Sequence, residues 1–370
     1  MGGEWRAGRE RSDPGFEIDR DLLCTADARG YFLTLNQAWE RVLGWSREEL
    51  MARPFIELVH PDDVERTAAA SAKISQPDYQ LVDFENRLRT RGGGYRWLRW
   101  SARSDGETWF AVAFDVTERK SAEARLRAAL SEDRLIAYAQ PIADRTNSWV
   151  VQEELLVRML SDSADESVME PRDFLPAAER SGLIVQIDRW MTDRAIELAA
   201  SGRPADVNLS AVSICDEQLP ADLAHALRRA GAGAANVVFE ITETAAIEHI
   251  DAARDFVERL SRLGCRFALD DFGTGFGSLT YLRHLPVQYL KIDTEFVRDL
   301  RTSPDDRKLV RSIVAMAGQF GLRTVAEGVE DPATLALVRE LGVDLAQGYC
   351  IGRPRPLVPA RATALAAPAT

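Results

Sequence analysis

Eight short apolar segments, most of them separated by amphipathic stretches, run through the chain between residues 133 and 356. They read LIAYAQPI, WVVQEELLV, ADVNLS, NVVFEITE, RFALDDFG, QYLKID, RTVAEGV and LAQGYCI. Stretches such as DRWMTDRAIELAA and DRKLVRSIVAMAGQF place apolar residues at helical spacing between them. Alternating strands and helices indicate βα units, and eight of them in about 225 residues predict an α/β fold, a (β/α)8 TIM-like barrel. The active site of such a barrel lies at the carboxyl ends of its strands.

The rest of the chain divides into a small domain and connecting segments. Residues 16–117 alternate short strands, turns and a helical stretch, which predicts a compact α+β domain. Residues 118–132 are charged and carry a narrow apolar stripe at helical spacing, so we expect a linker helix that could also pair with a second copy. Residues 1–15 are expected to be flexible, and residues 357–370, rich in Ala and Pro, to be disordered.

Composition and charge exclude several classes of protein. With 46% hydrophobic and 28% charged residues, the chain is expected to be neither wholly disordered nor a membrane protein. No apolar run approaches the roughly 20 residues that span a bilayer, and the first residues contain no apolar signal core, which favours a cytoplasmic location. A formal net charge of -12 argues against binding to a nucleic acid polymer. An anionic substrate would therefore need cations within its site.

Polar residues follow the apolar part of most of the predicted strands. They are Glu154, Asn208, Glu240, Asp270, Asp271, Lys291, Glu327 and Gln347. Because strand ends meet around the axis of a barrel, we expect the five carboxylates to share one pocket. Carboxylates this close repel one another, and divalent cations with oxygen ligands, Mg²⁺ or Mn²⁺, relieve that repulsion. Two bridged ions are the arrangement that promotes hydrolysis of a phosphodiester.

Other interpretations of these residues are weaker. A single acid at a strand end is more often a helix cap or an ion-pair partner, so the prediction depends on the whole set. The segment GTGFG imitates a dinucleotide-binding loop, but Ser278 stands where a third Gly is needed, and the two aspartates would repel a pyrophosphate. Asp271-Phe272-Gly273 also spells a kinase motif, but its companion motifs are absent upstream.

The order of the motifs resembles the EAL family of cyclic di-GMP phosphodiesterases. The matching segments are AQPI, EELLVRM, VNLSA, FEITET, ALDDFGTGF, LKID, VAEGVE and QGYCIGRP, which cover nearly all of residues 125–356. The resemblance implies hydrolysis of cyclic di-GMP to linear pGpG with two Mg²⁺ or Mn²⁺ ions. Two rival hypotheses are a catalytically silent receptor for cyclic di-GMP and a barrel hydrolase for another phosphodiester.

The resemblance also implies roles for individual residues. The implied metal ligands are Glu154, Asn208, Glu240, Asp270, Asp271 and Glu327. Glu154, Glu327 and Lys291 would form the catalytic group, in which Lys291 orients or deprotonates the attacking water. Burial can depress the pKa of a lysine, which permits the role of a base, and an ion pair with Asp270 or Glu327 is the alternative. The residues expected to hold the substrate are Gln140, Arg158, Asp293 and Gln347. Gln347 would also help to position the metals and their waters.

The motif that names the family departs from Glu-Ala-Leu in this chain, because Glu153 and Glu154 are adjacent. The family's Arg follows its metal-binding Glu by four residues, and Arg158 has this spacing from Glu154. Glu154 is therefore expected to face the metals, while Glu153 points to the opposite side of the strand.

Glu243, three residues after Glu240, resembles the family's glutamate that anchors the loop after Asp271. In that loop Phe276 and Gly277 replace the Tyr and Ser that the family commonly has. Loop mobility or dimer coupling is therefore expected to differ, whereas no metal ligand is lost.

Residues 16–117 resemble a PAS domain through LLCTADARGYFLTLNQAWERVLGWSREEL, PFIELVHPDDVERT, YRWLRW and the closing DVTERK. The resemblance implies a sensory domain but does not identify its ligand. His60 in the HPDD turn is expected to be structural rather than a haem ligand. Five tryptophans could line a pocket, although aromatic residues at these spacings usually build a core or a dimer face. We expect a signalling enzyme that forms a homodimer.

Overall fold

The computed structural model describes residues 21–357 apart from a few short segments. These segments are residues 75, 77–78, 147–148, 162–166, 232, 274–281 and 283–284. The chain forms two compact units that divide between Ala124 and Arg125. The segments predicted to be flexible or disordered at the two ends lie outside the described residues, except for Leu357.

The N-terminal unit contains a five-stranded antiparallel sheet. Its strands are β1 (Leu22–Asp27), β2 (Phe32–Leu35), β3 (Gln80–Arg89), β4 (Tyr95–Ser104) and β5 (Thr108–Asp115). They lie in the order β2-β1-β5-β4-β3, so the first strand pairs with the last. The helices of this unit are α1 (Ala38–Leu43), α2 (Arg47–Met51) and α3 (Val64–Ile74), with 3₁₀ turns at Phe55–Leu58 and Pro61–Asp63. This arrangement agrees with the predicted small α+β domain.

The core of the N-terminal unit is rich in aromatic side chains. Trp39, Trp100 and Trp109 are buried in it. A cavity of about 50 Å³ lies beside Trp100 and Trp109, and its lining is almost entirely apolar. His60 caps the Pro61–Asp63 turn, because its Nδ1 accepts a hydrogen bond from the N–H of Asp62 at 3.2 Å. The tryptophans therefore build both core and pocket wall, and His60 makes a structural contact.

The predicted linker helix is α4 (Thr117–Ser131). Within the N-terminal unit, Arg119 and Lys120 of this helix form ion pairs with Glu85. Further along, Leu126 and Ala129 are buried in the core of the C-terminal unit. The prediction that the apolar stripe could pair with a second copy is wrong for these two side chains, because their own chain already covers them.

The C-terminal unit is a closed barrel of eight strands with two short strands outside the ring. In chain order these are β6 (Leu135–Asp144), β7 (Val150–Leu160), the short β8 (Val168–Met169), β9 (Ala205–Leu209), β10 (Val237–Thr242), β11 (Arg266–Phe272), β12 (Tyr289–Ile292), β13 (Arg323–Ala326), β14 (Leu345–Gln347) and the short β15 (Arg355–Pro356). The ring closes because β6 pairs with both β7 and β14. All eight predicted strand segments are confirmed.

The first strand departs from a regular (β/α)8 barrel. β6 runs antiparallel to both of its neighbours, whereas β7 and β9 to β14 run parallel to one another. The prediction of eight successive βα units is therefore wrong at β6. Only five residues separate the end of β6 from the start of β7, and a parallel pair would need a crossover of a dozen or more residues.

Helices pack on the outside of the ring. They are α5 (Pro171–Ser181), α6 (Ile184–Ala200), α7 (Ala211–Ile214), α8 (Leu219–Ala230), α9 (Glu243–Glu248), α10 (Ile250–Ser261), α11 (Thr294–Arg298), α12 (Pro304–Gln319) and α13 (Pro332–Glu340). Ser303 and Asp331 cap α12 and α13, and each is followed by a Pro that suits the first helical position. Within the part of the chain that the structure describes, no helix is long and apolar enough to cross a membrane.

The inside of the ring contains its own small apolar core. One buried side chain from each of six strands forms it: Ile142, Val238, Ala268, Tyr289, Val325 and Leu345. Residues two apart in a strand face the same side of the sheet. The residues two positions nearer the site end of these strands are Gln140, Glu240, Asp270, Lys291, Glu327 and Gln347. The polar residues singled out from the sequence therefore form a layer above an apolar floor.

Candidate active site

Lys291 lies in the middle of this polar layer, and its side chain is almost completely buried. Its Nζ contacts carboxylates that lie in three other strands or directly after β13, at 2.7 Å from Glu240, 2.8 Å from Glu327, 3.2 Å from Asp270 and 3.5 Å from Glu154. The ion pairs with Asp270 and Glu327, considered from the sequence as the alternative to a base role, are confirmed. The barrel also adds two further partners.

The charges of this cluster are out of balance. Burial by itself lowers the pKa of Lys291, but the surrounding carboxylates outweigh burial and raise that pKa well above its usual value. The depressed pKa considered from the sequence refers to a lysine among bound metal ions, and it stays a prediction. Burial, followed by the charge of Glu154, raises the pKa of Glu240 well above its usual value. Burial also raises the pKa of Glu327 to about 8, against the attraction of Lys291.

Not every site residue lies at the end of its strand. Glu154 and Glu240 lie inside their strands, since β7 continues to Leu160 and β10 to Thr242. β7 is long because it pairs with the antiparallel β6 along most of its length. The prediction that the polar residues end the strands is thus wrong for Glu154 and Glu240, and also for Asp270, since β11 continues to Phe272. Their side chains still reach the pocket.

Asp270 and Asp271 are adjacent in β11, where regular alternation would send their side chains to opposite faces. The pairing of β11 with β12 is irregular between Leu269 and Phe272, and Asp271 has a left-handed φ of 53°. This bulge brings both carboxylates into one pocket. One oxygen each from Asp270, Asp271 and Glu327 lie within 4.8 Å of one another. Burial and the neighbouring Asp270 raise the pKa of Asp271 to about 6.

Three amide side chains lie around Glu154. Asn208 Nδ2 donates a hydrogen bond to Glu154 Oε1 at 2.7 Å, and Gln347 Nε2 donates to Glu154 Oε2 at 2.5 Å. Gln347 Nε2 also lies 3.2 Å from Gln140 Oε1, its acceptor. Burial alone would raise the pKa of Glu154, but Lys291 and the amide donors lower it below its usual value. Glu154 is therefore held as a carboxylate.

Arg158 and Asp293, both expected to hold substrate, make contacts within the chain. Arg158 Nε lies 3.2 Å from Glu170 Oε2, and its guanidinium lies over the ring of Tyr138. Asp293 caps α11 by accepting a hydrogen bond from the N–H of Glu295 at 2.6 Å. Asp293 also lies against Asp271 and contributes to its raised pKa. The substrate role of both residues stays a prediction.

Glu243 anchors the chain just after the aspartate pair. Its Oε2 accepts a hydrogen bond from the N–H of Gly273 at 2.9 Å, and its role in anchoring the rest of the loop stays a prediction. Gly273 has a φ of 103°, and a Cβ on it would lie 2.8 Å from the ring of Phe296. Only glycine fits there without a shift. Phe276 and Gly277, predicted to alter this loop, lie outside the described residues.

The register predicted for the glutamate pair is confirmed. Glu153 forms an ion pair with Arg203 on the outer side of β7. Glu154 is buried on the inner side among Lys291, Asn208 and Gln347. The glutamate that faces the pocket is therefore the second of the two, and its role as a metal ligand stays a prediction.

Two inward-facing polar residues were missed by the sequence analysis. Asp206 and Gln152 lie two residues before Asn208 and Glu154, and both are buried. Gln152 Nε2 donates a hydrogen bond to Asp206 Oδ2 at 2.6 Å. Burial raises the pKa of Asp206 to about 7, although Lys291 acts against it. The signal that could have found them is the two-residue spacing from predicted ligands on the same face of a strand.

The donor set fits divalent cations. The pocket contains five carboxylates, those of Glu154, Glu240, Asp270, Asp271 and Glu327, around the single ammonium group of Lys291. Glu240 Oε1 and Gln347 Oε1 are buried, and no hydrogen bond from the described residues reaches them. Oxygen-only ligands of this kind suit Mg²⁺ or Mn²⁺ rather than softer metals.

Comparison with known protein families agrees with this geometry. The family model described as the EAL domain matches residues 123–354. The chain belongs to the EAL domain family. A second model, described as the PAS fold, matches residues 32–109 ahead of the EAL domain. The eight-stranded barrel with the carboxylate pocket is therefore an EAL domain, and the smaller sheet is a PAS domain.

Related proteins share mainly the EAL domain with this chain. The cyclic di-GMP phosphodiesterase NbdA of Pseudomonas aeruginosa is 39% identical over 249 residues, which are 65% of this chain and 32% of NbdA. The structure titled as the MucR phosphodiesterase in complex with cyclic di-GMP has a TM-score of 0.61 at 34% identity, covering 66% of this chain and 99% of that one. The FimX EAL domain of P. aeruginosa bound to cyclic di-GMP has a TM-score of 0.60 at 29% identity, covering 63% of this chain and 96% of that one. This chain matches only about a third of the length of its curated relatives.

Proposed function

We propose that this chain hydrolyses cyclic di-GMP to linear 5'-pGpG with two divalent ions. The observation that carries the proposal is the pocket of five carboxylates around Lys291, at the site end of an EAL barrel. An anionic phosphodiester could not approach this much negative charge without cations. Relatives such as NbdA, named as cyclic di-GMP phosphodiesterases, support this choice of substrate.

The ions would be Mg²⁺ or Mn²⁺. The residues that would hold them are Glu154, Asn208, Glu240, Asp270, Asp271 and Glu327. Such ions lower the pKa of bound water and neutralise charge on the phosphodiester oxygens. The chain supplies the placement, since the bulge at Asp271 and the amides around Glu154 set where the ligand oxygens lie.

Lys291 and three polar side chains would act on the substrate or its attacking water. The carboxylates around Lys291 favour its protonated form, so we propose that it donates hydrogen bonds that orient the attacking water. Gln140 and Gln347 line the same layer, and their amides can hydrogen-bond the substrate. Arg158 provides a guanidinium near the carboxyl end of β7, and a guanidinium suits a phosphate oxygen.

The remaining features of the proposal concern regulation. We propose that the PAS domain senses a signal and that α4 transmits it to the EAL domain, since this helix contributes side chains to both units. A cytoplasmic homodimer is the assembly in which we expect this to happen. The alternative is a receptor that binds cyclic di-GMP without cleaving it, and the FimX EAL domain shows that a similar barrel binds this nucleotide.

Product analysis tests the proposal. The full chain is incubated with cyclic di-GMP and Mn²⁺ or Mg²⁺, and the nucleotides are separated by chromatography, with an EDTA-treated sample as the control. We expect metal-dependent formation of pGpG. Tight binding without pGpG would favour the receptor, and cleavage of other phosphodiesters alone would favour a different hydrolase.

A further inference from the structure

The floor beneath the active site is apolar on six of the eight strands and polar on the other two. The six apolar positions are Ile142, Val238, Ala268, Tyr289, Val325 and Leu345. On β7 and β9 the corresponding positions, two residues before Glu154 and Asn208, are Gln152 and Asp206. Their exposed fractions are 3% and 1%, so this polar pair lies inside the barrel without access to solvent.

A buried polar pair in an apolar floor weakens packing unless its groups are hydrogen-bonded. Gln152 Nε2 donates a hydrogen bond to Asp206 Oδ2 at 2.6 Å. Asp206 pairs with Val238 on the neighbouring β10, two residues before Glu240 on the same face of the sheet, and the Asp206 and Glu240 carboxyl groups influence each other electrostatically. Asp206 is thus the link between the floor and a predicted metal ligand of the layer above.

The atoms at this link are specific. Lys291 Nζ donates a hydrogen bond to Glu240 Oε2, and Gln152 Nε2 donates one to Asp206 Oδ2. The remaining oxygens, Glu240 Oε1 and Asp206 Oδ1, are buried, and no other described group donates a hydrogen bond to them. Asp206 and Glu240 thus lie on neighbouring strands, and each carboxyl group keeps one buried oxygen available for a contact with the other.

We propose that Asp206, held in place by Gln152, is a positioning residue that fixes the Glu240 side chain and thereby sets the affinity of the site for its divalent ions. This inference deepens the proposed function and depends on Glu240 being a metal ligand. It gives a function to two residues outside the metal-ligand set. Groups that orient metal ligands from behind typically change metal affinity 10- to 100-fold when they are removed.

The test uses the full chain and measures Mn²⁺ binding by titration calorimetry. Asp206→Ala removes both contacts, and we expect Mn²⁺ affinity to fall by about 10-fold or more. Asp206→Asn keeps a group that can accept from Gln152 and donate to Glu240, so we expect affinity within about threefold of the parent chain. Val325→Ala is the matched control, because it opens a cavity in the same floor but removes no polar contact. It should leave Mn²⁺ affinity unchanged.

A double variant protects the test against simple misfolding. Gln152→Met with Asp206→Leu makes the floor apolar throughout, and replacing both partners of a buried hydrogen bond by apolar groups is often tolerated. We expect this variant to fold, as judged by its melting curve, and to lose Mn²⁺ affinity as Asp206→Ala does. Normal Mn²⁺ affinity in the double variant, or an Asp206→Asn variant as weak as Asp206→Ala, would overturn the inference. Because binding is measured without substrate, failure of the parent chain to cleave cyclic di-GMP would reject the proposed function separately.

Discussion

The PAS core and the EAL pocket both bury polar side chains, but they differ in how many of these side chains have hydrogen-bond donors or cations as partners. In the PAS domain Asp63 accepts hydrogen bonds from the backbone N–H and the guanidinium of Arg87 and from Arg66. Asn86 accepts from Trp100 and donates to Thr67. In the EAL pocket, five carboxylates surround one ammonium group among the described residues, and no described donor reaches the buried oxygens of Glu240 and Gln347 named above.

The difference separates polar groups that serve stability from polar groups that await a ligand. A buried carboxylate that only stabilises the fold carries its own cations and donors, as Asp63 does, and Arg87 lowers its pKa to about 2. Among the described residues the EAL pocket has more carboxylates than cationic groups, and burial together with the neighbouring carboxylates raises the pKa of Glu327 to about 8 and that of Asp271 to about 6. Imbalance in a buried cluster is therefore the feature that indicates a binding site here.

Removing the central cation from each region should give the largest effect. Removing one partner of a buried ion pair costs about 3–5 kcal/mol, so Lys291→Met should lower the unfolding free energy of the metal-free barrel by that amount. Arg87→Met should cost less, about 1–3 kcal/mol, because Asp63 keeps other donors. Urea unfolding in EDTA measures both changes.

Manganese then separates the two variants. Added Mn²⁺ should recover much of the stability lost in Lys291→Met, since bound ions replace the missing positive charge. It should recover none of the stability lost in Arg87→Met. Equal recovery in both variants would contradict the idea that Mn²⁺ stabilises the chain by replacing the positive charge of Lys291 in the EAL pocket.

The glutamate pair on β7 provides the next largest effect. Glu154→Gln removes a predicted metal ligand and should reduce cyclic di-GMP hydrolysis by more than about 100-fold, because even groups behind a ligand cost up to that much. Glu153→Gln, its neighbour, only loses an ion pair with Arg203 on the outer side and should retain activity within about twofold. Steady-state rates of cyclic di-GMP hydrolysis at saturating Mn²⁺ compare the two variants. The reverse pattern would mean that the metals bind on the side of β7 that Glu153 faces.

The pH dependence of stability should have opposite signs in the two regions, with a slope of at most about 1.4 kcal/mol per pH unit for one group. The pKa of Asp63 is depressed to about 2 in the folded state. Its contribution to the free energy of unfolding is therefore fully present above about pH 4, the usual pKa of an aspartate, and is lost as pH falls from about 4 to about 2. The pKa of Glu327 is raised to about 8, so its protonated form favours the metal-free fold, and stability is lost as pH rises from about 4.5 to about 8.

Two variants isolate these slopes in urea unfolding of the EDTA-treated chain. Asp63→Asn should remove the loss of stability below about pH 4. Glu327→Gln should flatten the loss between about pH 5 and 8 and make the metal-free chain more stable than the parent at pH 8. A steeper loss in Glu327→Gln would contradict the origin assigned to the raised pKa.

Local signals in the sequence carried much of this description. Apolar strands alternating with amphipathic helices were enough to predict the barrel. The polar residues near the carboxyl ends of most strands then indicated which end of the barrel carries the site. The resemblance to the EAL family, whose Arg follows its metal-binding Glu by four residues, chose Glu154 over its neighbour, and the alternation of side chains along a strand then placed Glu153 on the other side. The sequence thereby determined the domain order, the strand set and the main polar cluster.

Only the tertiary structure decided how these pieces meet. The antiparallel β6, the bulge that brings Asp270 and Asp271 to one side, and the location of Glu154 inside a long strand all depend on pairing with distant strands. The support of Glu240 by Asp206 likewise joins two strands that are neighbours only in the folded ring. Such contacts follow from register and closure of the barrel, and no local pattern of residues encodes them.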